Sequence, residues 1–211
     1  MAARLAGVQP KTLVPPMLFN NSGNIGLPLA VLAWGESALP AAVILFMVEN
    51  TLHFSFGARL LDPTTRLLTL WRIPVVFAAI AGLTVALVKI PIWTPLVIAI
   101  KMLGDVSVPL LLFSLGVRMT DVNFSEWKVA VGSAVLRPLA GMLIAAGVIQ
   151  LLGLQGRDAA MLFVFGALPP AVLNFLFAER YKQEPQRVAS IVLIGNLAAL
   201  IFLPLALAWV L

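Results

Sequence analysis

The sequence predicts an all-α membrane protein with about seven transmembrane helices. Composition is the first reason: 61% of the 211 residues are hydrophobic, 11% are charged, and the mean hydropathy is +1.03. A soluble domain carries about a quarter charged residues. A soluble core of this size cannot bury so much apolar surface, whereas a bilayer solvates it. Segment length is the second reason: the apolar residues fall in runs of about 20, enough to cross the hydrocarbon core as a helix. The runs are continuous and rich in Leu and Ala, which disfavours strands.

The segments follow in order. The first, 12–33, ends at the turn Trp34-Gly35-Glu36-Ser37. The second, 38–58, is closed by Asp62-Pro63-Thr64. The third, 72–90, stops at the stretch from Pro91 to Pro95, and the fourth, 95–117, follows it. Polar residues from Thr120 to Glu126 precede the fifth, 128–153, which ends in the stretch from Gly153 to Asp158. The sixth, 158–178, is separated by Lys182 to Pro185 from the seventh, 186–211. Turns this short make successive helices antiparallel neighbours or near-neighbours.

Loop charges give the orientation. One side carries Arg4, Lys11, Arg59, Arg66, Arg72, Arg118, Lys128, Arg180, Lys182 and Arg187, against Lys89, Lys101 and Arg157 on the other. The richer side is cytoplasmic by the positive-inside rule, so the start of the chain lies inside and the C-terminus outside. Trp71, Trp93, Trp127 and Trp209 fall near the predicted interfaces, as in aromatic belts. The net charge of +5 therefore reads as an orientation signal and implies no nucleic-acid partner. The lipid bilayer is the one partner that the composition demands.

Several chemistries are excluded. Without cysteine there is no thiol nucleophile or thiolate site, and the single His53 rules out a two-histidine metal site within one chain. No Gly-x-Ser-x-Gly, Walker or His-Glu-x-x-His pattern occurs. No enzyme, cofactor or metal is expected. A seven-helix receptor is the rival by helix count, but the last segment lacks a lysine for a retinal Schiff base.

Two segments are unusual. The first contains Asn20-Asn21-Ser22-Gly23-Asn24-Ile25-Gly26-Leu27-Pro28 within an apolar run. Pro28 cannot donate a backbone hydrogen bond, and Gly23 and Gly26 ease unwinding. Lipid offers no partners to freed backbone groups, so such a break must face a polar cavity or pack inside protein. A merely kinked helix with glycines for close packing is the plainer reading. The sixth contains Leu168-Pro169-Pro170-Ala171-Val172-Leu173-Asn174, where two prolines leave two carbonyls without their helical donors. The two breaks are five helices apart, an odd offset that gives them opposite orientations. Each is followed by a helix carrying an asparagine, Asn50 or Asn196. Paired interrupted helices in inverted halves are the best sequence pointer to a transporter site, with half-helix N-termini favouring an anionic group.

These stretches resemble the auxin efflux carrier family, PIN-like carriers of the bile acid/arsenite/riboflavin transporter superfamily. Asn20 to Leu29 is similar to the family's first crossover helix, and Ala167 to Tyr181 to its second. Pro109 to Gly116 also fits. Bacterial members fit best, which implies a multi-pass protein of the bacterial inner membrane. The resemblance implies ten helices in two inverted five-helix repeats, and the chain matches helices four to ten. Residues 1–69 would then be the end of the first repeat: a cytoplasmic lead-in, the broken helix 12–33, helix 38–58 and a cytoplasmic loop. Residues 70–211 would be a complete second repeat. An N-terminal truncation is the expectation, and with it comes the alternative of a non-transporting fragment or sensor.

The expected substrate site lies where the broken helices cross. Asn20, Asn21, Ser22, Asn24, Gly26 and Asn174 line it, and Pro28, Pro169 and Pro170 maintain the breaks. The resemblance implies a small organic anion, a dicarboxylate or weak acid, moved by alternating access, and a possible homodimer. Ionisable residues within the spans leave two readings open each. Glu49 and His53 share a helix face and are either a proton-coupling pair or a structural hydrogen bond. Arg137 either helps to bind an organic anion, or snorkels or pairs with an acid. Asp105 either pairs with Lys101 or lines a cavity entrance where Pro109 opens the helix.

Overall fold

The computed structural model describes residues 8–65, 74–119 and 127–211. Arg4, Arg66, Trp71, Arg72 and the turn at 120–126 lie outside them, as do the side chains of residues 107–109. The described residues are helical, with no strand beyond one isolated β-bridge. Three helical stretches among them are long and apolar enough to cross a membrane: Glu36–Leu61, Trp127–Leu152 and Pro185–Val210, each of 26 residues.

The chain divides into two units, Met1–Glu49 with Asp121–Leu211, and Asn50–Thr120. In the first, α1 (Pro10–Leu18) gives way to a short extended stretch and a π turn (Ser22–Gly26), then α2 (Leu27–Trp34). A 3-10 turn leads into α3 (Leu39–Leu52). Past Asp121 come α7 (Trp127–Leu152), α8 (Gly156–Ala167), α9 (Leu173–Arg180) and α10 (Pro185–Val210). The core of this unit is built on alanine. Ala30, Ala38, Ala42, Ala167, Ala199 and Ala206 are buried around Met161, Phe165 and Leu168. The large apolar side chains Leu32, Leu143, Leu151, Leu200 and Trp209 stand exposed. Lipid supplies no hydrophobic drive between helices, so small residues at contacts and large ones outward is the membrane pattern.

Two polar contacts tie the ends of this unit. Thr12 at the start of α1 donates to Glu184, ahead of α10, at 2.5 Å. The Arg157 guanidinium on α8 donates to Ser37, ahead of α3, at 3.0 Å. Segment ends assigned by loop charge to one side are brought together, and so are those assigned to the other.

The second unit contains a π turn (His53–Gly57), α4 (Ala58–Leu61), α5 (Pro74–Val88) and α6 (Thr94–Met119). His53 is buried. Asp62 caps the turn after α4 by accepting from the Thr64 amide and hydroxyl. Lys101 and Asp105 form an exposed ion pair one turn apart, at 2.9 Å, the local pairing of the two readings. The expectation that Pro109 opens its helix is corrected: α6 runs unbroken through it. One missing donor leaves the flanking turns bonded, which a kink can absorb.

Candidate functional site at the helix crossover

Both interrupted segments are interrupted, and their gaps meet. The extended residues after α1 lie antiparallel to those after α8, with Asn20 opposite Pro170. The Asn21 amide donates to the Pro169 carbonyl at 2.8 Å, and the Ala171 amide donates to the Phe19 carbonyl at 3.0 Å. This bridge explains how two adjacent prolines fit. It uses the carbonyl of residue 169 and the amide of 171, so neither proline's missing N–H is called for.

The prolines do leave a deficit inside α8. In a continued helix residue 169 would donate to Phe165 and residue 170 to Gly166. Prolines cannot; Phe165 keeps a long bond from the Leu168 amide at 3.3 Å, and both carbonyls take a further donor from elsewhere. The Asn20 amide donates to the Phe165 carbonyl at 3.0 Å. The Arg137 guanidinium of α7 donates to the Gly166 carbonyl at 3.2 Å. Lipid could not have satisfied these carbonyls.

The asparagines secure the rest. Asn174 Nδ2 reaches both the Phe19 carbonyl at 3.1 Å and the Ala171 carbonyl at 3.0 Å. Asn21 Nδ2 donates to Asn196 Oδ1 at 3.1 Å. Asn196 Nδ2 in turn donates to the Pro170 and Val192 carbonyls. Their amide donors therefore hold the crossover together. What stays buried without a hydrogen-bond partner among the described residues includes two acceptors, Asn20 Oδ1 and Asn174 Oδ1, and one donor, Arg137 Nε.

The structure corrects the place of the first gap. It opens at Phe19 to Asn21, at the start of the amide-rich stretch, and not at Pro28. Pro28 stands at the second position of α2, exposed, directly after the π turn. Its effect lies upstream: it cannot bond the Asn24 carbonyl, and the turn before it is wound as π, with the Leu27 amide reaching back to the Ser22 carbonyl. Asn24 is half-buried in that turn. Gly26 is buried because a Cβ there would stand 3.0 Å from Leu168 and 3.1 Å from Phe165.

Of the ionisable residues, Glu49 and Arg137 join the crossover. Glu49, on α3, accepts from the Ser22 hydroxyl at 2.9 Å. Arg137 is buried, 5% exposed, and it and Glu49 act on each other electrostatically. Glu49 thus attends the first break and Arg137 the second. His53 and Asp105 belong to the other unit.

Sequence reasoning alone leaves out the close approaches that let these parts meet. A Cβ on Gly141 would fall 2.1 Å from the Gly166 carbonyl oxygen, and one on Gly166 would fall 2.6 Å from that of Gly141. A Cβ on Gly195 would fall 2.6 Å from Pro170 Cδ. The available signal is a glycine inside each long apolar run, which marks a close backbone approach without naming the partner.

The family model described as "Membrane transport protein" matches residues 63–207. Among curated proteins, the chain is 26% identical over 178 residues to "Auxin efflux carrier component 6" of Arabidopsis thaliana, covering 81% of this chain and 29% of that protein. It is 29% identical over 175 residues to "Probable auxin efflux carrier component 3b" of Oryza sativa subsp. japonica, covering 80% and 27%. The chain thus spans under a third of the length of these relatives. No solved structure matches it at a significant level.

Proposed function

Because the chain belongs to the membrane transport protein family, that of the auxin efflux carriers, we propose that it is a secondary carrier moving a small organic anion by alternating access. One observation carries this reading beyond family membership: two broken helices are joined by backbone at a single crossing, and the buried Asn21 and Asn174, with Glu49 and Arg137, gather there. Irregular backbone at membrane depth is tolerated where it packs inside protein or lines a polar path, and paired breaks of this kind mark substrate sites in transporters.

The substrate sits beside this crossing, among Asn20, Asn21, Ser22, Asn24, Gly26, Pro169, Pro170 and Asn174, with Pro28 shaping the π turn. Its class is a dicarboxylate or a weak acid, and the relatives' names make auxin-like acids members of the panel to test. The start of the chain faces the cytoplasm and the C-terminus lies outside. The contacts of Thr12 with Glu184 and of Ser37 with Arg157 support that alternation. The two breaks fit inverted repeats divided near residue 70, and a homodimer would follow the family's habit.

The test is uptake of labelled malonate and indole-3-acetate into proteoliposomes holding the chain, with counterflow as the readout of exchange. Saturable counterflow of either acid is expected. Saturable binding without flux would favour a sensor on the same scaffold, and neither binding nor flux would sink the reading.

A further inference from the structure

The hydrogen-bond donors of the crossover raise a question about an anionic substrate. The side-chain amides of Asn20, Asn21, Asn174 and Asn196 all donate to the frame itself. The buried amide atoms left without a hydrogen-bond partner among the described residues, Asn20 Oδ1 and Asn174 Oδ1, are acceptors, and the second N–H of Asn20 and of Asn21 can donate but carries no net charge. An acceptor oxygen repels a carboxylate. The asparagines therefore shape the site without neutralising what enters it.

Arg137 is the one buried lysine or arginine among the described residues. A guanidinium carries five donors in a planar fork. One of them caps the Gly166 carbonyl, while Nε is buried with no hydrogen-bond partner among the described residues. A capping role requires a single donor and gives no reason for the second edge of the fork. A buried cation also requires an anion, since an uncompensated charge in a low-dielectric interior is strongly destabilising. Glu49 supplies it electrostatically, and it is tethered to the first broken helix through Ser22.

We propose that Arg137 is the residue that selects an anionic substrate, and that Glu49 is the resident counter-charge which the substrate carboxylate replaces. This rests on the carrier reading above. A carboxylate laid on the free edge of the guanidinium makes the bidentate pairing for which that fork is suited. Glu49 keeps its Ser22 hydroxyl when the exchange occurs. Arg137 thus always has a counter-charge acting on it, and a neutral analogue of the substrate has nothing to exchange.

The experiment uses the chain in lipid nanodiscs, with malonate, indole-3-acetate and the uncharged malonamide as probes, and reads binding by calorimetry and thermal shift. Wild type binds at least one of the acids and not malonamide. Arg137→Gln weakens acid binding by about 10- to 100-fold, the range of a charge-assisted hydrogen bond. Arg137→Lys keeps the charge but loses the fork, so it weakens binding by a smaller factor. Glu49→Gln, which removes the competitor, tightens acid binding while lowering the melting temperature of the empty protein. A merely structural Arg137 would not produce that opposite pair of effects. Acid binding unchanged in Arg137→Gln, or weakened in Glu49→Gln, overturns the inference and leaves the carrier reading standing. Should Arg137→Gln fail to fold, Glu49→Gln decides alone. Wild type that neither binds nor moves either acid overturns the carrier reading, and this inference with it.

Discussion

Replacing Gly141 by alanine adds one methyl group where α7 meets α8. The added carbon would stand 2.1 Å from the Gly166 carbonyl oxygen and 2.9 Å from its carbon. A carbon–oxygen contact settles at about 3.3 Å, so the helices must part by about 1 Å. The obstacle is backbone on both sides and cannot swing away. Arg137 lies one turn before Gly141 and now donates to the same Gly166 oxygen at 3.2 Å. Parting by about 1 Å carries that bond beyond hydrogen-bond range. Overpacking costs about 1–3 kcal/mol and loss of a bond to a charged donor about 1.5–3 kcal/mol. Better helix propensity returns about 1 kcal/mol. The net loss is about 1.5–5 kcal/mol, or roughly 3–20 °C in a domain of this size. Thermal unfolding in detergent, followed by circular dichroism, measures it. Gly132 and Gly147 lie on the same helix with nothing within 4 Å of an added Cβ, and alanine there should leave stability equal or slightly raised. If Gly141→Ala melts together with Gly147→Ala, the close approach of α7 and α8 is wrong, and so is the account of how Arg137 reaches the break.

Other outcomes follow from single contacts. Asn174→Leu removes both donors to the Phe19 and Ala171 carbonyls and should cost about 2 kcal/mol or more, since two buried acceptors lose a partner; chemical denaturation in micelles measures it. Gly195→Ala puts a carbon 2.6 Å from Pro170 Cδ and should abolish counterflow while membrane insertion persists. Asp105→Asn breaks only an exposed ion pair and should change neither melting temperature nor acid binding measurably. The chain has no cysteine, so Glu36→Cys and Lys182→Cys, both at exposed turns, report topology directly. An impermeant maleimide should label the first from outside in intact cells and the second only after permeabilisation.

The long apolar helices expected near 38–58, 128–153 and 186–211 were legible in the sequence because bilayer thickness dictates segment length. Apolar runs of about 20 residues separated by short polar turns admit few other readings, and α7 and α10 fall within two residues of the expected bounds. The existence of two breaks was legible too, since prolines and asparagines have no ordinary reason to sit mid-run. The place of the first break was not. Pro28 is the visible breaker, but it stands within α2 directly after the π turn, and the gap at Phe19 to Asn21 depends on pairing with Pro169 and Ala171, about 150 residues away by count along the chain. Roles within the site were illegible for the same reason. Whether an asparagine faces a substrate or a carbonyl is decided by which carbonyls the opposite helix leaves bare, and only three dimensions bring Phe165 and Gly166 to Asn20 and Arg137.

The antiparallel bridge at the crossing has a consequence for how such a protein can diversify. Its two bonds run from the amide of residue 21 and the carbonyl of residue 19 to positions 169 and 171, and no side chain takes part. A joint made of main chain survives substitution at the residues that form it, so long as their backbones keep the same path. The joint can thus be inherited unchanged while the side chains around it drift. A methyl group on Gly195 or Gly141, by contrast, meets the ring or backbone packed against it and forces that path to shift.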